Sequence, residues 1–295
     1  FQTNIKCTSF SLVTGTISGA TISMDNGTTG SGNATIASGT TLISSATSNN
    51  VFQRTGTTRA GTLTLAGTLR LTGATPQLSM NSITNTGTVE YTGASQTFIA
   101  LTNSGAALIA YTNLTVSGTG TKTPLASTTV SGTLLITASS IIGANLTING
   151  TAQINGGGFT TSSPIYGSSS TLIYNTGGSL SVGLEWPTVS SPFNVTVQNS
   201  STLSLGTDQS ISGVLTVSSG ILDLSSNQIL GSGSIVINGT LKTSKAAGFS
   251  GTSSTAVSNS ISSITLGSAS TIDYNSAGNQ TITAGNYANI SNSGN

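Results

Sequence analysis

The stretch GTLTLAGTLRLTG, residues 61–73, alternates apolar and polar side chains with a period of two. Its apolar positions are Leu63, Leu65, Leu69 and Leu71. This alternation is typical of a half-buried β-strand, because successive side chains of a strand point to opposite faces. Threonine, valine, isoleucine and leucine dominate similar runs along the chain, and these residues favour strands. The sequence therefore predicts an all-β protein.

The strands recur at short and even intervals. In residues 213–243 the apolar centres fall at Leu215, Leu222, Leu230, Val236 and Leu241, five to eight residues apart. Antiparallel sandwiches usually space their strands by about 8–12 residues. The shorter spacing suits a coil of about three strands and roughly 20 residues, stacked on the next coil. We therefore expect a right-handed parallel β-helix, or β-solenoid, with irregular inserted loops. Antiparallel β-sandwich repeats are the alternative.

A longer repeat lies over the short one. A tyrosine-centred strand recurs at Tyr91, Tyr174 and Tyr274, and an asparagine marker follows each, at Asn113, Asn194 and Asn289. Such a degenerate long period is typical of repeat architectures with variable insertions. We expect one continuous solenoid over residues 1–295, divided into approximate repeats 1–92, 93–175, 176–275 and a partial repeat 276–295.

The composition excludes several classes of protein. Charged residues are 4% of the chain, against about 25% in average globular domains. The seven lysine and arginine residues form no cluster, so a nucleic-acid partner is not expected. No apolar run approaches the roughly 20 residues that span a bilayer. Cys7 is the single cysteine, which leaves neither a disulfide framework nor a zinc site.

Catalytic chemistry has little support in the sequence. The acids are Asp25, Glu90, Glu185, Asp208, Asp223 and Asp273, and no two lie within four residues of each other. Polysaccharide-cleaving β-helices need carboxylates brought together on one face. Histidine is absent, which removes the commonest general base and metal ligand. We expect no catalytic residue, no metal site and no cofactor, and hence no enzyme.

One loop stands out locally. The segment 181–193 contains Glu185, Trp186 and Pro187, and Trp186 is the single tryptophan. Such a tryptophan either fills a local core beneath the loop or offers a platform to a ligand. We take Glu185 and Trp186 as a candidate loop contact site for glycans or surfaces.

Several strings resemble the repeats of very large secreted surface proteins of Bacteroidota. They are TLIYNTGGSLSVGLEWPT at 171–188, GNQTITAGNYANIS at 278–291 and YTNLTVSGTGTKT at 111–123. Proteins of that family are adhesin-like, carry few charges and are often exported by the type IX secretion system. The resemblance covers most of the chain after about residue 60. It implies an extracellular β-solenoid with a structural or adhesive role, and it carries over no catalytic residue.

Neither end of the chain looks like a solenoid cap. An uncapped coil exposes apolar core and unpaired backbone groups, which favour association with another coil. We expect a secreted, cell-surface protein that assembles head to tail into a filament or forms the stalk of a fibrous adhesin. The candidate assembly residues are Phe1, Ile5, Phe10, Tyr287 and Ile290. The alternatives are a polysaccharide-binding or polysaccharide-degrading β-helix and an ice- or surface-binding module.

Overall fold

The structure is a computed structural model of the chain. It describes residues 5–7, 10–12, 15–19, 22–24, 33–47, 50–54, 61–78, 80, 82–101, 106–107 and 110–294. These residues divide into two compact units, Phe1–Ile148 and Asn149–Asn295. Each unit is built from short β-strands, and the secondary structure of the described residues contains no helix.

The described residues of the first unit form twenty-two strands. They are β1 (Ile5–Cys7), β2 (Phe10–Leu12), β3 (Thr16–Gly19), β4 (Ile22–Met24), β5 (Ala34–Ile36), β6 (Thr41–Ser44), β7 (Asn50–Arg54), β8 (Thr62–Leu65), β9 (Thr68–Leu71), β10 (Gln77–Leu78), β11 (Ser82–Asn85), β12 (Thr88–Tyr91), β13 (Gln96–Thr97), β14 (Ala100–Leu101), β15 (Ala106–Ala107), β16 (Ala110–Tyr111), β17 (Asn113–Val116), β18 (Thr121–Thr123), β19 (Thr128–Val130), β20 (Thr133–Ile136), β21 (Ser140–Ile141) and β22 (Leu146–Ile148).

The second unit contains sixteen. They are β23 (Thr151–Asn155), β24 (Phe159–Thr160), β25 (Ile165–Tyr166), β26 (Thr171–Asn175), β27 (Ser179–Ser181), β28 (Asn194–Val197), β29 (Thr202–Ser204), β30 (Gln209–Ser210), β31 (Val214–Val217), β32 (Ile221–Asp223), β33 (Ile229–Leu230), β34 (Ser234–Ile237), β35 (Thr240–Thr243), β36 (Ser263–Leu266), β37 (Thr271–Tyr274) and β38 (Asn289–Ser291).

Strands of the first unit stack in parallel on the strand one coil away. One ladder has the order β3-β6-β9-β12-β17-β20. Thr68 lies opposite Thr88, and Leu114 lies opposite Leu134, so one coil takes about 20 residues. Two further ladders run in the orders β1-β4-β7-β10-β14-β15 and β11-β8-β5-β2. The pair β14 and β15 is antiparallel, unlike the other pairs described in this unit.

The second unit repeats this arrangement. Its two main ladders have the orders β23-β26-β28-β31-β34-β36 and β27-β29-β32-β35-β37-β38. Thr151 lies opposite Thr171, again about 20 residues later. The expectation of a parallel β-solenoid is confirmed in each unit, and the antiparallel sandwich alternative is wrong. The arrangement of the whole chain as one continuous solenoid stays a prediction.

The alternating pattern predicts which side chains are inside. The stretch that begins at Gly61 has its leucines 0–1% exposed, at Leu63, Leu65, Leu69 and Leu71. Because the coils are in register, these side chains stack in columns. One column of the first unit consists of Leu42, Leu69, Val89, Leu114 and Leu134. Each fully buried aliphatic side chain stabilises the fold by about 1.5–3 kcal/mol.

Longer coils carry their extra residues in loops between ladder strands. Residues 182–193 and 244–262 contain no strand. The flanking strands keep their register across the second loop, since Thr240 pairs with Thr271. Insertions therefore lengthen a coil without interrupting the columns inside it.

Candidate functional site

Three tyrosines mark the long repeat in the structure. Tyr91 ends β12, Tyr174 lies in β26 and Tyr274 ends β37. Their exposed fractions are between 0% and 3%. Each hydroxyl forms a hydrogen bond with a second side chain, and the partners are, in the same order, Tyr111, Glu185 and Tyr287. The repeat in the sequence thus corresponds to a repeated polar contact under the coils.

The first of these contacts is closed on all sides. The Tyr91 and Tyr111 hydroxyl oxygens are 2.9 Å apart, and the Ile99 N–H donates to the Tyr91 hydroxyl over 2.9 Å. The Phe98 ring stacks on Tyr91 with centroids 4.4 Å apart and meets Tyr111 edge-on at 5.6 Å. Burial raises the pKa of both tyrosines. This cluster is a structural plug with no open side for a ligand.

In the second contact a carboxylate replaces the partner tyrosine. Glu185 Oε1 accepts hydrogen bonds from the Gly183 N–H at 2.8 Å and from the Tyr174 hydroxyl at 3.1 Å. The Tyr166 hydroxyl donates to the backbone carbonyl of Glu185 over 2.7 Å. Burial raises the pKa of Tyr166 and Tyr174, and the negative charge of Glu185 raises both further. Glu185 therefore ties the inserted loop to the core.

Trp186 lies under the same loop. Its side chain is 1% exposed and its ring centroid is 6.4 Å from that of Tyr174. The indole forms part of a groove of about 590 Å³, the Trp186 groove, whose rim carries the exposed apolar side chains Leu184 and Val189. The structure thus places Glu185 and Trp186 beneath the surface. Their role as a contact site stays a prediction, and the exposed part of this site is the rim.

The contribution of the Glu185 carboxylate to the stability of the loop can be measured by substitution. We expect Glu185→Ala to lower the free energy of unfolding by about 2–3 kcal/mol, because two hydrogen bonds to a buried charged group are lost. Glu185→Gln keeps an acceptor oxygen in place, so it should lower the free energy of unfolding by less than about half as much. Urea denaturation of the three proteins checks this. Equal losses in the two variants would contradict the anchoring role.

A buried glutamine holds the turn that follows Tyr91. Gln96 is 3% exposed, and its Oε1 accepts the Gly93 N–H at 2.8 Å. Its Nε2 donates to the carbonyls of Leu71 and Gly73, one coil earlier, at 3.0 and 2.7 Å. The side chain therefore joins a turn to the coil beneath it and uses three of its four hydrogen-bonding positions.

Gln280 repeats the contacts of Gln96 in the second unit. Its Oε1 accepts the Ser276 N–H at 2.8 Å, and its Nε2 donates to the carbonyls of Thr243 and Lys245 at 2.8 and 3.1 Å. The Gln-Thr dipeptide therefore occurs at 96–97 and at 280–281 with the same bond between coils. Sequence reasoning did not assign these glutamines a role.

Lys122 completes the Gln96 turn from the next coil. It pairs in register with Gln96, and its residue exposure is 0%. Its Nζ donates to the carbonyls of Gly93, Ala94 and Thr119 at 2.8, 2.6 and 2.9 Å. Burial lowers the pKa of Lys122 to about 8. The sequence analysis missed this residue, whose only signal is its place in the string SGTGTKT one coil after the Gln-Thr pair.

The last described coil exposes positions that are buried elsewhere. Ile290 follows the marker Asn289 and is 47% exposed, whereas the residues that follow the other two markers, Leu114 and Val195, are 0% exposed. Ile282 is 59% exposed, whereas Phe98 in the matching place is 1% exposed. Both isoleucines line a groove of about 200 Å³, the isoleucine groove.

The predicted assembly residues fall in two places. Tyr287 is half-buried and donates its hydroxyl to the Thr283 carbonyl at 2.6 Å, in the same coil as Ile290. Ile5 lies in β1 and Phe10 in β2, each at the edge of its sheet in the first unit. Phe1 lies outside the described residues. The assembly role of these five stays a prediction.

The carboxylates that the structure describes are engaged in local contacts. Glu90 pairs with Arg70 Nε at 2.5 Å, and Asp273 pairs with Lys242 Nζ at 3.4 Å, each across neighbouring strands. Asp208 and Asp223 accept backbone N–H groups, and Asp25 lies outside the described part. In that described part, no three histidine, cysteine or acidic side chains come together as a metal site.

Comparison with known proteins finds no relative of this chain. No family model, no curated protein and no solved structure matches the chain. Among the residues described here, no helix has the length and hydropathy needed to cross a membrane.

Proposed function

We propose that this chain is an extracellular structural and adhesive protein whose coils associate head to tail with further copies, as a filament or as the stalk of a fibrous adhesin. The observation that carries the proposal is the exposure of Ile290 at a position that is fully buried in the other two repeats. An exposed apolar side chain at the face of a coil favours contact with a further coil. The resemblance to secreted surface repeats of Bacteroidota supports the extracellular location.

The few surface charges support the same proposal. The chain carries a formal net charge of +1, so copies repel each other little.

Adhesion would use the variable loops, and the rim of the Trp186 groove offers two exposed apolar side chains to a glycan or a surface. The engaged carboxylates do not favour the polysaccharide-cleaving alternative, since each of those described has a structural partner.

Substitution of the isoleucine groove tests the proposal. We expect Ile282→Ser with Ile290→Ser to weaken self-association by about a hundredfold, since each half-exposed isoleucine loses about 1–1.5 kcal/mol of burial. Sedimentation velocity over a concentration series and electron microscopy measure the assembly. Val189→Ser is the matched control, because Val189 is 78% exposed but lies in the loop beside Trp186.

Two outcomes would contradict the proposal. One is a wild-type chain that stays monomeric at every concentration tested. The other is a double variant that assembles as well as the Val189→Ser control.

A further inference from the structure

The Trp186 groove lies between the inserted loop and the coil that follows it. Two buried residues, Trp186 and Gln209, form its floor and are 1% and 3% exposed. Gln209 begins β30, and its backbone N–H donates to the Gln228 carbonyl at 2.9 Å, which fixes the place of its side chain in the fold. The volume of about 590 Å³ falls within the range of about 300–1,000 Å³ that is usual for ligand sites.

Two buried polar atoms at this groove have no hydrogen-bond partner among the residues that the structure describes. They are Nε1 of Trp186 and Oε1 of Gln209. Gln209 Nε2 donates to Thr207 Oγ1 at 3.3 Å, which leaves the oxygen end of the amide unused. The buried amide of Gln96 differs, since both of its ends are bonded. Buried polar groups are nearly always paired, so an unpaired donor and an unpaired acceptor in one groove call for a partner from outside the chain.

The two atoms require opposite hydrogen-bonding roles from that partner. The indole N–H of Trp186 can only donate, and the Oε1 of Gln209 can only accept. A hydroxyl group both accepts and donates, so the hydroxyls of one molecule can serve both atoms. Three further hydroxyls stand at the exposed edge of the groove, at Ser163, Thr188 and Thr207. The groove therefore suits a molecule that carries several hydroxyl groups.

The rest of the groove favours a neutral molecule with an apolar face. The described residues that line it carry no charged side chain. The nearby Glu185 carboxylate is occupied by the Gly183 N–H and the Tyr174 hydroxyl. Leu184 and Val189 are 50% and 78% exposed at the rim. Exposed side chains change rotamer within nanoseconds, so these two can move aside to admit a ligand and then cover its C–H groups.

We propose that the Trp186 groove binds a neutral hexose of a glycan. A hexose ring combines several hydroxyl groups with C–H groups and carries no charge. In the complex the Trp186 N–H donates to one sugar hydroxyl, and a sugar hydroxyl donates to Gln209 Oε1. This inference rests on the proposed adhesive function and names the class of ligand that one of its loops takes.

The fluorescence of Trp186 reports binding directly, because it is the single tryptophan of the chain. We expect a saturable change in its emission when wild type is titrated with at least one of the methyl glycosides of glucose, galactose and mannose in the millimolar range. The corresponding methyl uronide carries a carboxylate in place of the CH₂OH group. It should bind at least about tenfold more weakly, because an unpaired charge is unfavourable in a groove without a basic side chain.

Two variants test the two parts of the site. Gln209→Met removes the acceptor, and we expect about tenfold weaker binding with a urea midpoint no lower than that of wild type, because an unpaired buried oxygen is lost. Leu184→Ser changes an exposed rim residue, so the fold is kept, and it should weaken binding about fivefold. Gln153→Met is the matched control, because Gln153 lies in β23 and does not line the groove.

The outcomes separate this inference from the proposed function. A wild-type chain whose emission responds to none of the methyl glycosides overturns the hexose site. Gln209→Met and Leu184→Ser proteins that bind as tightly as Gln153→Met overturn it as well. In both cases sedimentation of the wild-type chain decides separately whether copies associate. A chain that binds the glycoside as expected but stays monomeric upholds the hexose site and overturns head-to-tail association.

Discussion

Between pH 10 and pH 11 the protein is expected to lose about 4 kcal/mol of its free energy of unfolding. Burial strongly raises the pKa of four interior tyrosines, which are Tyr91, Tyr111, Tyr166 and Tyr174, and it also raises the pKa of the half-buried Tyr287. In the unfolded chain a tyrosine releases its proton near pH 10. As the pH rises through this value the unfolded chain therefore binds fewer protons than the folded one, and stability falls by about 1 kcal/mol per interior tyrosine between pH 10 and pH 11. The summed loss over the four tyrosines is comparable with the whole free energy of unfolding of a typical domain.

Equilibrium urea denaturation at several pH values from 8 to 11, followed by circular dichroism, measures this loss. Tyrosinate absorbance should appear together with unfolding, not before it. Replacement of Tyr91 or Tyr166 by phenylalanine removes one titrating group, so the slope of stability against pH should fall by about a quarter in each variant. A slope that is the same in wild type and in both variants would show that the buried hydroxyls do not cause the loss.

The second large effect is expected from Lys122→Met. The substitution removes three part-buried hydrogen bonds from a charged donor, and hydrogen bonds to charged groups contribute at most about 1.5–3 kcal/mol each. Removal of a charge from a buried site offsets part of this cost. We expect a net loss of about 2–4 kcal/mol at pH 7, measured by urea denaturation. Lys245→Met is the control, because Lys245 donates a single exposed bond to the Ser226 carbonyl, at 3.0 Å, and should change stability by less than about 0.5 kcal/mol.

The pH dependence gives an independent check on Lys122. Its pKa is lowered to about 8 in the folded protein, against an ordinary value near 10.4 in the unfolded chain. Between these values the unfolded state binds more protons, so this group makes stability rise with pH. The rise should be absent in Lys122→Met and present in Lys245→Met. A Lys122→Met protein that is as stable as the control and shows the same rise would refute the assignment.

The sequence was sufficient for the fold because the alternation was uninterrupted. In the stretch that begins at Gly61, a slip by one residue would turn every leucine outward, so one register is strongly favoured. The short interval between apolar centres then favoured coils of about 20 residues over a sandwich, which stayed the alternative until the parallel pairing was seen. The boundaries between the long repeats were harder to predict. Insertions such as residues 182–193 change the distance between repeat markers, but the apolar-polar alternation of the strands does not change with them.

The roles of polar residues were less accessible from the sequence. Gln96, Lys122 and Gln280 each act on backbone groups one coil away, and backbone groups carry no sequence signal. Glu185 looked like a surface residue because its partner, Tyr174, lies 11 residues earlier in the chain and carries no mark of the contact. A buried carboxylate is uncommon. The burial of Glu185 is therefore recognised only from the structure, which shows the Tyr174 hydroxyl beside it.

The constancy of the ladder across insertions has a practical consequence. Thr240 and Thr271 stay paired although they are separated by the loop at residues 244–262. Loop length adds little entropic cost once the strands that close it are fixed. The exposed tip of this loop, residues 251–254, is therefore a site for grafting foreign peptides, where a cargo sequence can be displayed without redesign of the buried Phe249, Ala256 and Val257.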